Sequence, residues 1–208
     1  MKDAGEEGRM KRRLTVEARR AEIIEITRRR IAEEGAAGLS LREVARWCDM
    51  SAPGLTHHFP TLRDLMDEVL ARRDAEDLRG IQALARADDH HLTLRRLADA
   101  SVQYYVERPE ETRHFDTLEA EAMSPAHPAH AYFAAIDSHT RGLGLTLARE
   151  EYEDPETVIA VLKVVVDGLR KRWVLLPENA DLWGDWVRIR DTVFAGFTPL
   201  PDKASETP

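Results

Sequence analysis

One cysteine, Cys48, is all the thiol chemistry in this 208-residue chain. A lone cysteine excludes an intramolecular disulfide and paired-cysteine metal sites, and it fits a reducing cytoplasm. Long apolar runs are missing too. None approaches the roughly 20 residues of a membrane-spanning helix, and the most apolar segment, 158–166, is interrupted by Lys163. The opening "MKDAGEEGRMKRR" lacks the apolar stretch of a signal peptide, so no export and no membrane partner are expected. Sustained period-two alternation and internal repeats are absent, which argues against sheet and solenoid architectures.

Catalytic signatures are equally scarce. His90, His91, His114, His127 and His130 lie near carboxylates, but no H-E-x-x-H or paired C-x-x-C spacing occurs, and Pro128 interrupts "SPAHPAH". Gly142 and Gly144 in "RGLGL" lack the preceding strand and third glycine of a dinucleotide loop, and read as helix flexibility. Cys48 falls on an apolar stripe and reads as core. No catalytic residue, metal or cofactor is expected.

What the chain does have is charge, unevenly placed. Residues 9–63 hold 12 Lys/Arg against 7 Asp/Glu, whereas the whole chain carries a net charge of -8. A basic N-terminal quarter on an acidic body suggests a head that binds a polyanion. The same charges would also suit a solvated helix surface.

The pattern is helical almost throughout. A first helix is expected over about 15–34, with Ile23, Ile24, Thr27 and Ile31 on one side and Gly35 as its stop. Ser40 and Glu43 form a capping box. Leu41, Val44, Ala45 and Cys48 follow as a two-turn apolar stripe. Asp49-Met50 makes a turn, Ser51 caps the next helix, and Pro53 sits in its first turn. That helix has only Leu55 and Phe59 as large apolar anchors before Pro60 ends it. Thr61 and Asp64 start a fourth helix with Leu62, Leu65, Met66, Val69 and Leu70 facing inward. A short helix with two anchors and small residues elsewhere is built to be approached from outside. Helix, tight turn and exposed second helix make a helix-turn-helix, whose second helix enters the DNA major groove. Further helices are expected at about 62–86, 92–107, 110–123, 128–147, 155–175 and 181–196, with a Pro-rich disordered tail.

In order, the helix ending at Gly35, "LSLREVAR", "MSAPGL" and "HHFPTLRDLM" resemble the TetR family of bacterial transcriptional regulators over residues 15–70. "EAEAMSPAHPAHAYF" and "VVVDGLRKRWVLLPE" are similar to stretches in some members' C-terminal domains. The resemblance implies an all-α fold: a three-helix DNA-binding head on a larger helical domain that binds a ligand and dimerises through its last long helices. On this reading 1–14 is a flexible basic arm with Lys11, Arg12 and Arg13. Residues 15–61 are the DNA-binding domain, 62–197 the ligand-binding and dimerisation domain, and 198–208 a disordered tail. The chain departs from the family pattern at three positions: Asp49 replaces the usual turn Gly, Thr56 the recognition-helix Tyr, and Leu62 the Lys opening the fourth helix, with Arg63 one position later.

Phosphate contacts need positive charge or donors near the backbone, and the candidates are Arg42, His58 and Arg63, with Ser40 and Ser51 adding hydroxyl or helix N-terminal contacts. Base reading falls to Ala52, Pro53, Gly54, Thr56 and His57, with DNA shape carrying part of the specificity. Tyr105, His114, Phe115, Phe133, Val166 and Trp173 are the candidate ligand pocket. Val158, Leu162, Leu182, Trp186, Ile189 and Val193 lie on helices apolar on more than one face. A dimer interface is expected from them, core packing within one chain being the alternative. The expected function is a cytoplasmic homodimeric regulator that binds a palindromic double-stranded operator, represses, and is released by a small-molecule effector. The competing reading is an α-helical interaction module whose head docks protein.

Overall fold

The computed structural model describes residues 15–87, 91–135 and 142–201. The basic arm at 1–14, His90 and residues 202–208 of the expected tail lie outside the described residues. Ten α-helices occur among the described residues. They are α1 Val16–Glu34, α2 Leu41–Trp47, α3 Ala52–His58, α4 Leu62–Ala85 and α5 Leu94–Val106, then α6 Pro109–Glu121, α7 His130–Ala134, α8 Gly142–Glu151, α9 Pro155–Leu175 and α10 Leu182–Ala195. None is long and apolar enough to cross a membrane.

Local chemistry explains most helix starts. Thr15, Ser40, Ser51, Thr61, Thr93, Asp154 and Asp181 each accept a hydrogen bond from the backbone N–H three residues on, a contact worth about 1 kcal/mol. The expected box at Ser40 is only half made, because the Glu43 carboxylate pairs with Arg46. The box at Thr61 and Asp64 is complete. Of the helix expected over 128–147 the described residues hold α7 and α8, and α7 starts at His130 after turns from Ser124 to Ala129; residues 136–141 lie outside the described residues. Part of the tail is also held, because Glu153 N–H donates to the Thr198 carbonyl at 3.1 Å and Leu200 N–H to the Glu151 carbonyl at 2.9 Å.

The apolar interior falls into two clusters joined by α4. One gathers Ile23 and Ile31 of α1, Val44 of α2, Leu55 and Phe59 around α3, and Leu65 to Leu70 of α4. Phe115 and Leu118 of α6 complete it, so the core of the head extends past residue 61 into the body. The other gathers Ile81 of α4, Leu94 and Val102 of α5, Leu147, Val158, Leu162, Leu182 and Trp186. Trp186 Nε1–H donates to Asp99 at 2.7 Å, which satisfies the buried indole.

Glycine lies at two places where helices meet. At Gly144 an added Cβ would stand 3.2 Å from Ile159 Cδ1, where α8 meets α9. At Gly80 of α4 an added Cβ would run into the Tyr104 ring, whose hydroxyl is held by Asp77 at 3.0 Å. Gly80→Ala gains about 1 kcal/mol of helix propensity but forces a pinned, buried ring to move, an overpacking cost of about 1–3 kcal/mol. The expected outcome is a net loss of about 1 kcal/mol in urea unfolding, where a propensity-only effect would stabilise.

Candidate nucleic-acid interface and ligand cleft

The stripe Val44, Ala45 and Cys48 buries α2 against the head core, with Leu41 half-buried beside it. Burial raises the Cys48 thiol to about 11, so it stays protonated packing material. Asp49 takes φ 52°, the left-handed conformation that the turn requires. Met50 N–H then returns to the Ala45 carbonyl at 2.9 Å, closing the helix end. Ser51 caps α3 through Gly54 N–H at 3.2 Å. With Leu55 and Phe59 fully buried, α3 turns Pro53, Thr56 and His57 to solvent, and leaves Ala52, Gly54 and His58 half-buried. The Thr56 hydroxyl donates to the Pro53 carbonyl at 3.1 Å, so reading a base as a donor means giving up that bond.

Arg42, at the start of α2, and Arg63, at the start of α4, are exposed and ion-pair with no described carboxylate. Arg46, by contrast, is spent on Glu43. Ser40 and Ser51 are exposed at their helix starts. Burial holds the His58 imidazole below its ordinary value, with His57, Arg19 and Arg20 pushing the same way. The ring is therefore neutral near pH 7, a hydrogen-bonding group rather than a cation.

Two arginines of α1 that sequence reasoning missed hold this assembly. Arg19 Nη2 donates to the Cys48 carbonyl at 2.9 Å, fixing the turn. Arg20 donates to the His58 carbonyl at the end of α3, pairs with Glu68 of α4, and lays its guanidinium 4.0 Å over the Phe59 ring. The sequence signal was their i, i+1 position in a helix otherwise lined with ion-pairing residues, which points nowhere in particular without the fold. Arg28 of α1 is a third joint, reaching Glu25 at 2.9 Å, Glu76 at 3.1 Å and Glu111 of α6 at 3.5 Å.

A cleft of about 480 Å³ opens between α4, α6, α7 and α9, and an adjoining one of about 200 Å³ reaches α5 and α8. Of the pocket candidates, Tyr105, Phe133 and Val166 line them. The other three pocket candidates do not. His114 Nδ1 bonds the Ala32 carbonyl at 2.8 Å, docking α6 on α1. Phe115 is fully buried under the Arg73 guanidinium at 4.3 Å. Trp173 packs on the body core away from the cleft. His127 and His130 are used locally, on Ala129 N–H at 3.2 Å and the Ala122 carbonyl at 2.8 Å.

The interface candidates separate in the same way. Val158, Leu162, Leu182 and Trp186 belong to the chain's own core, while Ile189 and Val193 are half-buried. The apolar residues that α9 and α10 leave outside are Val161, Val164, Leu175, Trp183 and Val187, Val164 and Leu175 being 73% and 77% exposed. Hydrophobic periodicity marks both faces of such a helix and does not say which one the monomer takes.

Removing the Arg20 anchor should loosen α3 selectively. In Arg20→Met the amide protons of residues 55–59 are expected to exchange about tenfold faster, while the core amides of α5 and α9 keep their protection. Uniform acceleration along the chain would show a global effect instead.

Residues 23–69 match the family model for bacterial regulatory proteins of the tetR family. The HTH-type transcriptional regulator TtgR of Pseudomonas putida is 26% identical over 204 residues, covering 88% of this chain and 94% of that protein. The multidrug binding protein EbrR, solved with imidazole, superposes with a TM-score of 0.65 at 26% identity, over 90% of this chain and 98% of the other. A transcriptional regulator from a Rhodococcus species, 20% identical, shares the fold with a TM-score of 0.63 over 90% of this chain and 100% of its own. A helix-turn-helix head that matches the tetR family model over residues 23–69 thus sits on a helical body similar in sequence and fold to these regulators over most of its length.

Proposed function

We propose that the protein is a homodimeric repressor that binds a palindromic operator and leaves it when a small molecule enters the cleft. The observation that carries this reading is α3, pinned by Leu55, Phe59 and Arg20 yet open along Pro53, Thr56 and His57, with exposed Arg42 and Arg63 at the neighbouring helix starts. Arg42 and Arg63 contact phosphates, with Ser40, Ser51 and the neutral His58 as donors. Ala52, Pro53, Gly54, Thr56 and His57 meet base edges and thymine methyls. Arg63 takes the place of the Lys expected one position earlier, where Leu62 is half-buried against the head core.

One recognition helix reads too few base pairs to select a site, and a two-fold pair reads two half-sites at a spacing set by the protein. The exposed stripe of Val161, Val164 and Leu175 on α9, with Trp183 and Val187 on α10, supports a four-helix interface. A ligand releases DNA only by preferring the conformation whose heads are wrongly spaced. Moving the equilibrium from 1:99 to 99:1 takes about 5.5 kcal/mol of that preference. The cleft lies where this can act, because α6 lines it and also docks on α1 through His114 and Arg28.

The salt dependence of operator binding tests the DNA face and the dimer together. Each phosphate neutralised contributes a slope of about -0.9 in log K against log salt. Arg42→Ala in a two-headed complex should therefore make the slope shallower by about 1.8, where a single head gives half of that. Binding indifferent to salt would sink the proposal.

Val164→Glu combined with Val187→Glu is expected to sediment as a monomer with native helicity and to lose operator binding. Leu182→Glu would unfold the body instead, since Leu182 is core. A double variant that stays dimeric would move the interface elsewhere.

A further inference from the structure

A separate cavity of about 380 Å³ lies at the joint between head and body, and none of its lining residues is shared with the cleft. That volume falls within the range of small-molecule pockets. Leu39 of the segment between α1 and α2, Leu62 and Met66 of α4, Leu118 of α6 and Pro128 give it an apolar wall. Met66 and Leu118 are fully buried, Leu39 and Leu62 half-buried, and the lining residue Gly38 is exposed. The cavity therefore leads from solvent to the core of the head.

Two features of the sequence that the DNA face leaves unused meet here. Leu62 stands where the family pattern has Lys, and "SPAHPAH" supplies His127 and Pro128. A Lys at position 62 would bring a charge to this wall, whereas Leu leaves it apolar.

The polar side chains on the cavity are Glu121 and His127. Glu121 is exposed at the end of α6 and pairs with no described cation. His127 Nδ1 accepts the Ala129 N–H at 3.2 Å, so the neutral ring carries its proton on Nε2, which has no described partner. One cavity thus presents a carboxylate acceptor, an N–H donor and an apolar wall. A hydroxyl suits that pair, because one oxygen donates to the carboxylate and accepts from the imidazole. A carboxylate ligand meets the charge of Glu121, and an ammonium has no lone pair for Nε2–H. The wall in turn takes a hydrocarbon body.

We infer that this joint cavity binds small neutral hydrocarbons bearing one hydroxyl, with the hydroxyl at Glu121 and His127 and the chain along Leu39, Leu62 and Met66. The inference stands apart from the operator and from the cleft. An occupant touches the segment before α2, the start of α4 and the end of α6 at once.

Methyl NMR of the full-length, DNA-free protein labelled with carbon-13 at its methionine methyls tests this. Met66 lines the cavity, while Met50 and Met123 do not and serve as internal references. The probes are 1-hexanol, its isomer 1-methoxypentane, hexanoate and hexylammonium. Hexanol is expected to shift the Met66 methyl saturably, with an affinity about tenfold above the ether that lacks the O–H. Both charged probes should bind more weakly than hexanol. Glu121→Gln, at an exposed position, should weaken hexanol several-fold and leave the ether unchanged. Leu62→Lys should abolish the Met66 response to hexanol with helicity retained. An ether or a charged probe that matches hexanol, or a Glu121→Gln variant that binds hexanol as before, would overturn the hydroxyl assignment. A Met66 methyl that no probe moves, or a response that survives Leu62→Lys, would overturn the cavity as the site.

Discussion

Two helices of seven residues each carry the surface offered to DNA, and an isolated helix of that length does not persist in water. Their order is borrowed from burial. Val44, Leu55 and Phe59 are fully enclosed in a core that α1 and α4 surround and that Phe115 and Leu118 of α6 complete. The head is therefore continuous with the body. A DNA-reading helix can be poor in long apolar residues only because its two anchors sit in a core built mostly by other elements.

Arginines join the elements where apolar packing alone would leave their relative placement loose. Arg20 ties α1 to the end of α3 and to α4, Arg28 ties α1 to α4 and α6, and Arg170 ties α9 to α6. Burial would depress the Arg170 guanidinium, but Tyr105, Asp116, Asp167 and Glu119 carry it above its ordinary value. Burying such a group costs desolvation that its partners only partly return, so its contribution is directional: it admits one arrangement of α6 against α9. That arrangement faces the cleft on one side and the head on the other.

Local sequence signals located the elements well where backbone chemistry is self-contained. Thr15, Ser51, Thr61 and Asp154 mark true helix starts, Gly35 and Asp49 true ends or turns, and the span 155–175 coincides with α9. The reading erred where a residue had two plausible partners. Glu43 chose Arg46 over the Ser40 backbone, and the helix expected from residue 128 begins at His130 and ends at Ala134.

The all-helical class, the helix-turn-helix and its exposed recognition face were determined by the sequence itself, because caps, turn residues and a sparse apolar stripe act over a few residues. Which apolar side chains face inward was decided by the tertiary structure. On α9 and α10, Val158, Leu162, Leu182 and Trp186 pack inside the chain, whereas Val161, Val164, Trp183 and Val187 remain outside. Likewise His114 and Phe115 left the expected pocket for the head–body joint, and the charged wall built from Asp74, Asp77, Glu119, Lys163 and Arg170 gathered residues from three helices far apart in the chain. Periodicity reports that a face is apolar or charged. Only the packing of one helix against another settles what that face meets.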